Sequence, residues 1–258
     1  MEYLTYDGSF EGFLTVVFEC YSRKISPIDI GKTKAFQEKI FVQKEFIATA
    51  PEKAERVWKA LQNKLHKRNK ELPLFAFLSE APGIEIMLYR FVRRIFDTKF
   101  SIETDFGDPD VLELKKLEKK VMREAMRVLQ FVRFQKTQDD IFFSGIEPQY
   151  DVLPFSIKHF TNRFADQRWL VYDLKRDYGI YYDLKETHEV ALTEKSFNSS
   201  NGKIAENLLQ EGETTYQALW KDYFDHINIT ERKNLKLQRQ HMPQRFWKFL
   251  PEKGCNGL

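Results

Sequence analysis

The chain has 258 residues, of which 42 % are hydrophobic and 15 % aromatic, with 23 Phe and 11 Tyr. That composition supplies a core and excludes disorder over most of the length, which allows one large domain or two smaller ones. The formal charge of only +3 excludes a uniformly basic, histone-like binder, while local basic faces remain open.

Cys20 and Cys255 lie near opposite ends of the chain. Two cysteines give no disulfide scaffold, no Cys₄ zinc site and no iron–sulfur cluster of the chain's own. No metal site is assigned, and a reducing, cytoplasmic location is expected. The start, Met1 to Asp7, lacks a basic and apolar leader, and no run approaches the roughly 18 apolar residues of a membrane span.

In chain order, residues 3–6 suit a short strand, Asp7-Gly8 a turn and Ser9 an N-cap. Phe10, Phe13, Leu14, Val17, Phe18 and Tyr21 then share a helical face. Residues 40–48 read as extended. Pro51 opens a helix with Ala54, Val57, Trp58, Leu61 and Leu65 on one stripe and a basic end over 64–70. A short helix over 72–80 breaks at Pro82-Gly83. The next helix buries Ile84, Leu88, Phe91 and Ile95 and shows Arg90, Arg93 and Arg94 on its other side. A longer helix after Pro109 buries Leu114, Leu117, Val121, Ala125, Val128 and Val132. It repeats Lys116, Lys120, Arg123 and Arg127 on another face.

The pattern changes after Phe131. Phe131–Gln135 and Ile141–Ile146 read as strands and 154–164 as a helix. Arg168–Leu174 and Gly179–Leu184 form a hairpin, with His188–Leu192 as a third strand. The expected class is α+β: a helical layer from the first half packed with a mainly antiparallel sheet, plus C-terminal helices. Residues 1–192 form the core domain and 193–212, with Asn198 to Gly202, a polar linker. Residues 213–258 form a basic helical segment packing on the core.

Four stretches are able to carry chemistry. The terminal segment holds Arg232, Lys233, Lys236, Arg239, Arg245 and Lys248, opposed only by Glu231 and Glu252. Such cations gain by displacing counterions at phosphates, and Phe246 and Trp247 are able to stack on bases; the alternative is a solvated helix face whose rings dock on the body. The stripe Lys116, Lys120, Arg123, Arg127, with Arg90, Arg93 and Arg94, is a second phosphate track or an ordinary polar helix side. Glu147 and Asp151 lie four apart in a Pro-bounded loop, followed by His159 and Arg163 one helical turn apart. Together they suit acid–base work or a Mg²⁺ ion, or else turn chemistry. Asp173, Asp177 and Asp183 mark the hairpin. There is no phosphate-binding glycine loop, nucleophile elbow or HExxH spacing.

Several blocks resemble a bacterial family of unknown function associated with DNA metabolism. They are Tyr6-Asp7-Gly8-Ser9-Phe10-Glu11-Gly12, Phe77-Leu78-Ser79-Glu80-Ala81-Pro82-Gly83, Phe131-Val132-Arg133-Phe134-Gln135, Ile146-Glu147-Pro148, Asp151-Val152-Leu153-Pro154, Arg163-Phe164-Ala165-Asp166-Gln167, Tyr178-Gly179-Ile180-Tyr181-Tyr182-Asp183 and Met242-Pro243-Gln244-Arg245-Phe246-Trp247. The resemblance implies a domain fused in some members to family-four-type uracil-DNA glycosylases and paired with a radical SAM protein of DNA modification or repair. Where the family pattern places a His after the Arg-Glu-Ala run, this chain has Met126, which weakens an enzymatic reading. The expectation is an accessory binder of DNA (or RNA), partnering a radical SAM or uracil-DNA glycosylase-like protein, with no cofactor of its own and no membrane. The alternatives are a nucleic-acid-processing enzyme using Glu147, Asp151, His159 and Arg163, and an assembly protein with an aromatic interface.

Overall fold

A computed structural model describes residues 3–33, 44–227 and 234–253. It is an α+β chain made of two compact units, Met1–Met122 and Arg123–Leu258.

The first unit holds a small parallel sheet. Strand β1 (Tyr3–Tyr6) lies between β2 (Asp29–Lys32) and β3 (Lys44–Phe46), both parallel to it. Leu4 and Tyr6 share one face of β1 and are fully buried, and Thr5 between them, on the other face, is buried as well, so both faces of the strand are covered. Gly8 turns the chain at φ +96°, and the Ser9 hydroxyl accepts from the Gly12 amide at 2.9 Å to start α1 (Phe10–Ser22). Helix α2 (Pro51–Lys64) packs on α1, and α3 (Leu72–Phe77) and α4 (Ile84–Asp97) complete the layer. The strand read at residues 3–6 and the extended stretch at 40–48 correspond to β1 and β3, whereas β2 has no signal in the sequence, because Asp29-Ile30-Gly31-Lys32 carries a single apolar residue.

Helix α5 (Pro109–Phe131) includes the boundary between the units. In the second unit, β4 (Gln135–Lys136), β5 (Phe142–Ile146), β6 (Trp169–Asp173), β7 (Tyr178–Tyr182) and β8 (Thr187–Val190) form one sheet in chain order. All its pairs are antiparallel except β5–β6, which α6 (Leu153–Arg163) connects. The expected strand at Phe131–Gln135 is corrected: Phe131 ends α5, and only Gln135–Lys136 pair.

Residues 193–212 make specific contacts within this unit. The turn at Asn198–Gly202 closes on itself, and Phe197 stacks on Phe143 at 4.9 Å. Gly202 then approaches Gly145 so closely that a Cβ on Gly145 would lie 2.7 Å from the Gly202 Cα. Helix α7 (Glu213–Ile227), α8 (Leu235–His241) and 3-10 turns over Gln244–Phe249 and Pro251–Lys253 follow. Phe246 and Leu250 bury against Phe131.

Candidate nucleic-acid interface

The best-organised cationic site lies in the second unit, around Glu124. This carboxylate faces inward on α5 and is 1 % exposed. Its Oε1 accepts the Gln149 amide at 2.9 Å. Its Oε2 takes a direct bond from the Arg245 guanidinium and lies 3.6 Å from Arg127 Nη1. Two guanidiniums therefore share one anion, and the group keeps a net positive charge at a half-exposed surface. Arg123, one turn before Arg127, is exposed. Lys248 pairs with Glu147, and Arg245 also lies over the Phe246 ring at 4.8 Å.

A second buried acid, in the same unit, fixes the turn Pro251–Lys253. Glu252 receives Arg133 Nη2 at 2.8 Å on one oxygen and Trp220 Nε1 at 3.0 Å on the other. Trp247 donates its indole N–H to the Met242 carbonyl at 3.1 Å. Lys236 and Arg239 stand exposed on α8, while Arg232 and Lys233 lie outside the described residues.

Four of the first-unit cations that the sequence singled out each have an acidic partner. Arg90 makes a bidentate pair with Asp110, both bonds at 2.7 Å. Arg93 lies 3.5 Å from Asp97 and donates to Tyr89 Oη at 3.2 Å. Arg94 pairs with Asp108, and Lys116 lies 3.5 Å from Glu113. Lys120 is exposed. Arg90, Arg93 and Arg94 thus tie α4 to itself and to residues 105–110, a role their helical spacing alone did not reveal.

The loop expected to hold acid–base groups is braced by other elements. Asp151 accepts from Tyr178 Oη at 2.5 Å, and burial first, then that carboxylate, push the Tyr178 phenol well above its usual range. Glu147 belongs to Lys248. His159 and Arg163 are exposed on α6, the first against Phe160 and the second over Phe164. The three hairpin aspartates also separate. Asp173 holds Arg176, Asp177 holds Lys195 and Tyr172, and Asp183 caps the amides of Lys185 and Glu186. Asp183, Glu186 and His188 bring their ligand-type atoms within 4.8 Å of one another at the β7–β8 turn and the start of β8, with Glu186 and His188 exposed and Asp183 partly buried.

One arrangement carried no functional assignment in the sequence. The blocks Tyr6–Gly12 and Phe77–Gly83 meet in the first unit. Phe77 packs on Phe10 at 5.2 Å and on Phe13 at 5.9 Å. Lys32 lies over the Phe77 ring and 3.7 Å from Glu80. Asp7 accepts from Ser9 and from the Thr49 hydroxyl at 2.6 Å, and Glu80 adopts φ 51°. The shared membership of both blocks in the resemblance was the available signal.

Residues 82–252 match the domain of unknown function DUF4130, and the chain belongs to that family. None of the curated proteins matches it. Among solved structures, the pGpG-specific phosphodiesterase PggH of Vibrio cholerae is similar over 88 % of this chain and 99 % of its own, at 9 % identity and a TM-score of 0.32. So loose a superposition carries no argument. Among the described residues, no helix is long and apolar enough to cross a membrane.

Proposed function

We propose that the chain is an accessory nucleic-acid-binding protein of DNA modification or repair. In this reading it grips a DNA or RNA backbone while a partner of radical SAM or uracil-DNA glycosylase-like type performs the chemistry. The observation that supports it is the shared anion. Arg127 and Arg245, drawn from distant parts of the sequence, meet on the one buried carboxylate of Glu124. One negative charge offsets two positive ones, and exposed Arg123 adds a third on the same helix face. A phosphate oxygen is the ligand that such a surplus attracts.

The reading requires binding that weakens with salt. Each phosphate contact contributes about 0.9 to the slope of log affinity against log salt on duplex DNA. The test uses the exposed cations, since reversing Arg245 would break a buried pair. The variant Arg123→Glu/Arg239→Glu is compared with the unmodified chain by fluorescence anisotropy on a labelled duplex and on a labelled single strand across a salt series. A loss of one to two contacts' worth of slope supports the reading. An unchanged slope and affinity in a folded variant removes this face from it. Affinity capture with the radical SAM or glycosylase-like partner, co-expressed, tests the accessory role separately.

A further inference from the structure

The first unit contains a double cleft that no part of the reading above uses. The larger half, about 710 Å³, is lined by the end of α2, the turn at 66–69, the loop at 101–106 and the first turns of α5. The smaller, about 370 Å³, adjoins it and shares Lys64, Leu65, Ser101 and Glu103. Volumes in this range are those of small-ligand sites.

The walls divide into groups that build the cleft and groups left to face a ligand. Lys64 donates to the carbonyls of Ile95 and Phe96, both at 3.0 Å, and so caps α4. Lys115 donates to Asn69 Oδ1 at 2.5 Å and Glu118 Oε2 at 2.9 Å. Glu103, 3 % exposed, accepts the His66 amide at 2.8 Å on one oxygen, and its other oxygen is buried with no partner among the described residues. Arg68 and Lys119 in the larger half and Lys99 in the smaller are exposed cations for which no acidic partner is present among the described residues. Each half also presents a ring to solvent: Phe106 is 55 % exposed and Phe100 is 86 % exposed.

We propose that this double cleft binds two consecutive nucleotides. Arg68, Lys119 and Lys99 take the phosphates, and Phe106 and Phe100 each stack one base. Cations and a solvent-facing ring line each of two adjoining pockets, which matches the alternation of charge and π-face along a single strand. Nucleobase edges also carry the N–H donors that the unpartnered oxygen of Glu103 lacks, and leaving such an oxygen unpaired is costly. A duplex does not suit this arrangement, because its bases are stacked on each other and offer Phe106 and Phe100 no free face. The ligand comes either as a free dinucleotide or as part of a longer strand.

The test measures binding of inorganic phosphate, a thymidine monophosphate, the dinucleotide pTpT and an eight-residue oligothymidylate to the full chain by isothermal titration calorimetry. Phe106→Ala, Phe100→Ala and Arg68→Ala/Lys119→Ala are run in parallel, with circular dichroism confirming that each is folded. The expected order is oligothymidylate or dinucleotide above mononucleotide above phosphate, with each Phe→Ala weakening the dinucleotide at least about fivefold. Dinucleotide and octamer binding equally well identifies a free dinucleotide as the ligand, and tighter octamer binding identifies a strand. Phosphate binding as well as the dinucleotide, or Phe variants without effect, overturns the proposal, as does the absence of dinucleotide binding. Arg123→Glu/Arg239→Glu distinguishes this cleft from the Glu124 face: it should leave pTpT binding unchanged whether or not duplex binding fails.

Discussion

Arg245 donates to the buried carboxylate of Glu124 across 121 residues of sequence. The same carboxylate orders the Gln149 amide at the start of the Tyr150-Asp151 loop and holds Arg127 on its own helix. A single acid thus sets the position of the C-terminal 3-10 turn, the loop after β5 and two surface cations. The phosphate-facing role proposed for the arginines and their structural role are one arrangement, because a guanidinium fixed by Glu124 on one side keeps donors for a ligand on the other.

Glu124→Ala is expected to lower the unfolding free energy by about 3 kcal/mol, because the Gln149 amide and the Arg245 guanidinium both lose their acceptor and Arg127 and Arg245 are left as neighbouring like charges. Arg245→Ala should cost less, about 1–3 kcal/mol, since Arg127 and the Gln149 amide still serve the carboxylate. Urea titrations compare the two. Equal losses would show that Arg127 does not compensate.

Cys20 is 2 % exposed, and burial pushes its thiol up to about 11, against the opposing pull of Tyr89, Arg93 and Arg23. The thiolate is the reactive form, so labelling at neutral pH should be slow in the folded protein and fast in denaturant. Measured with a chromogenic disulfide reagent on a Cys255→Ser background, rapid labelling of folded Cys20 would contradict this placement.

The legible parts of the fold were those with strong local periodicity. Phe10, Phe13, Leu14 and Val17 mark α1, and Ile84, Leu88, Phe91 and Ile95 mark α4, each within a residue or two of its ends. The β6–β7 hairpin was legible for the same reason. In the parallel sheet, β1 matches the strand read at 3–6 and β3 falls inside the extended stretch read at 40–48, but β2 and the parallel pairing were not legible: strands of three or four residues gain stability from one another and from the covering helices, a tertiary effect without local signature. At the candidate site the cations were visible, but their partners were not. Asp110 for Arg90, Asp108 for Arg94, Glu124 for Arg245 and Glu147 for Lys248 are set by packing rather than by spacing. The double cleft was invisible because Arg68, Lys99, Phe106 and Lys119 are ordinary surface residues until the chain folds.

Stability should fall steeply in alkali. Burial, reinforced by Glu85, raises the Tyr6 phenol far above its usual range, as burial and Asp151 do for Tyr178. A raised folded pKa means that above about pH 10, the unfolded tyrosine value, the unfolded chain has lost protons that the native chain keeps. Each such group then contributes about −1.4 kcal/mol per pH unit to stability, and its contribution is fully retained below that pH. Urea midpoints at intervals from pH 8 to pH 11.5 read the slope. Tyr6→Phe and Tyr178→Phe should each flatten it; parallel curves for the variants would show that these phenols ionise as readily in the folded state as in the unfolded.

Gly145 and Gly202 provide the sharpest test of how the 193–212 segment is held. Gly145 lies in β5 and Gly202 ends the Asn198 turn at φ +65°, so the two positions make different demands. Alanine at 145 meets backbone, the Gly202 Cα at 2.7 Å, and no side-chain rotation relieves it. Alanine at 202 meets the Gly145 Cα at 2.8 Å and must also adopt a left-handed conformation. The first should cost about 1–3 kcal/mol as overpacking, and the second roughly 1 kcal/mol more for the backbone. Both should push the turn off the sheet and expose it to protease. Limited proteolysis with mass spectrometry should therefore place new cleavage between residues 193 and 212 in each variant, earlier in Gly202→Ala. Cleavage unchanged from the unmodified chain, with an unchanged melting temperature, would mean that this segment does not rest on β5.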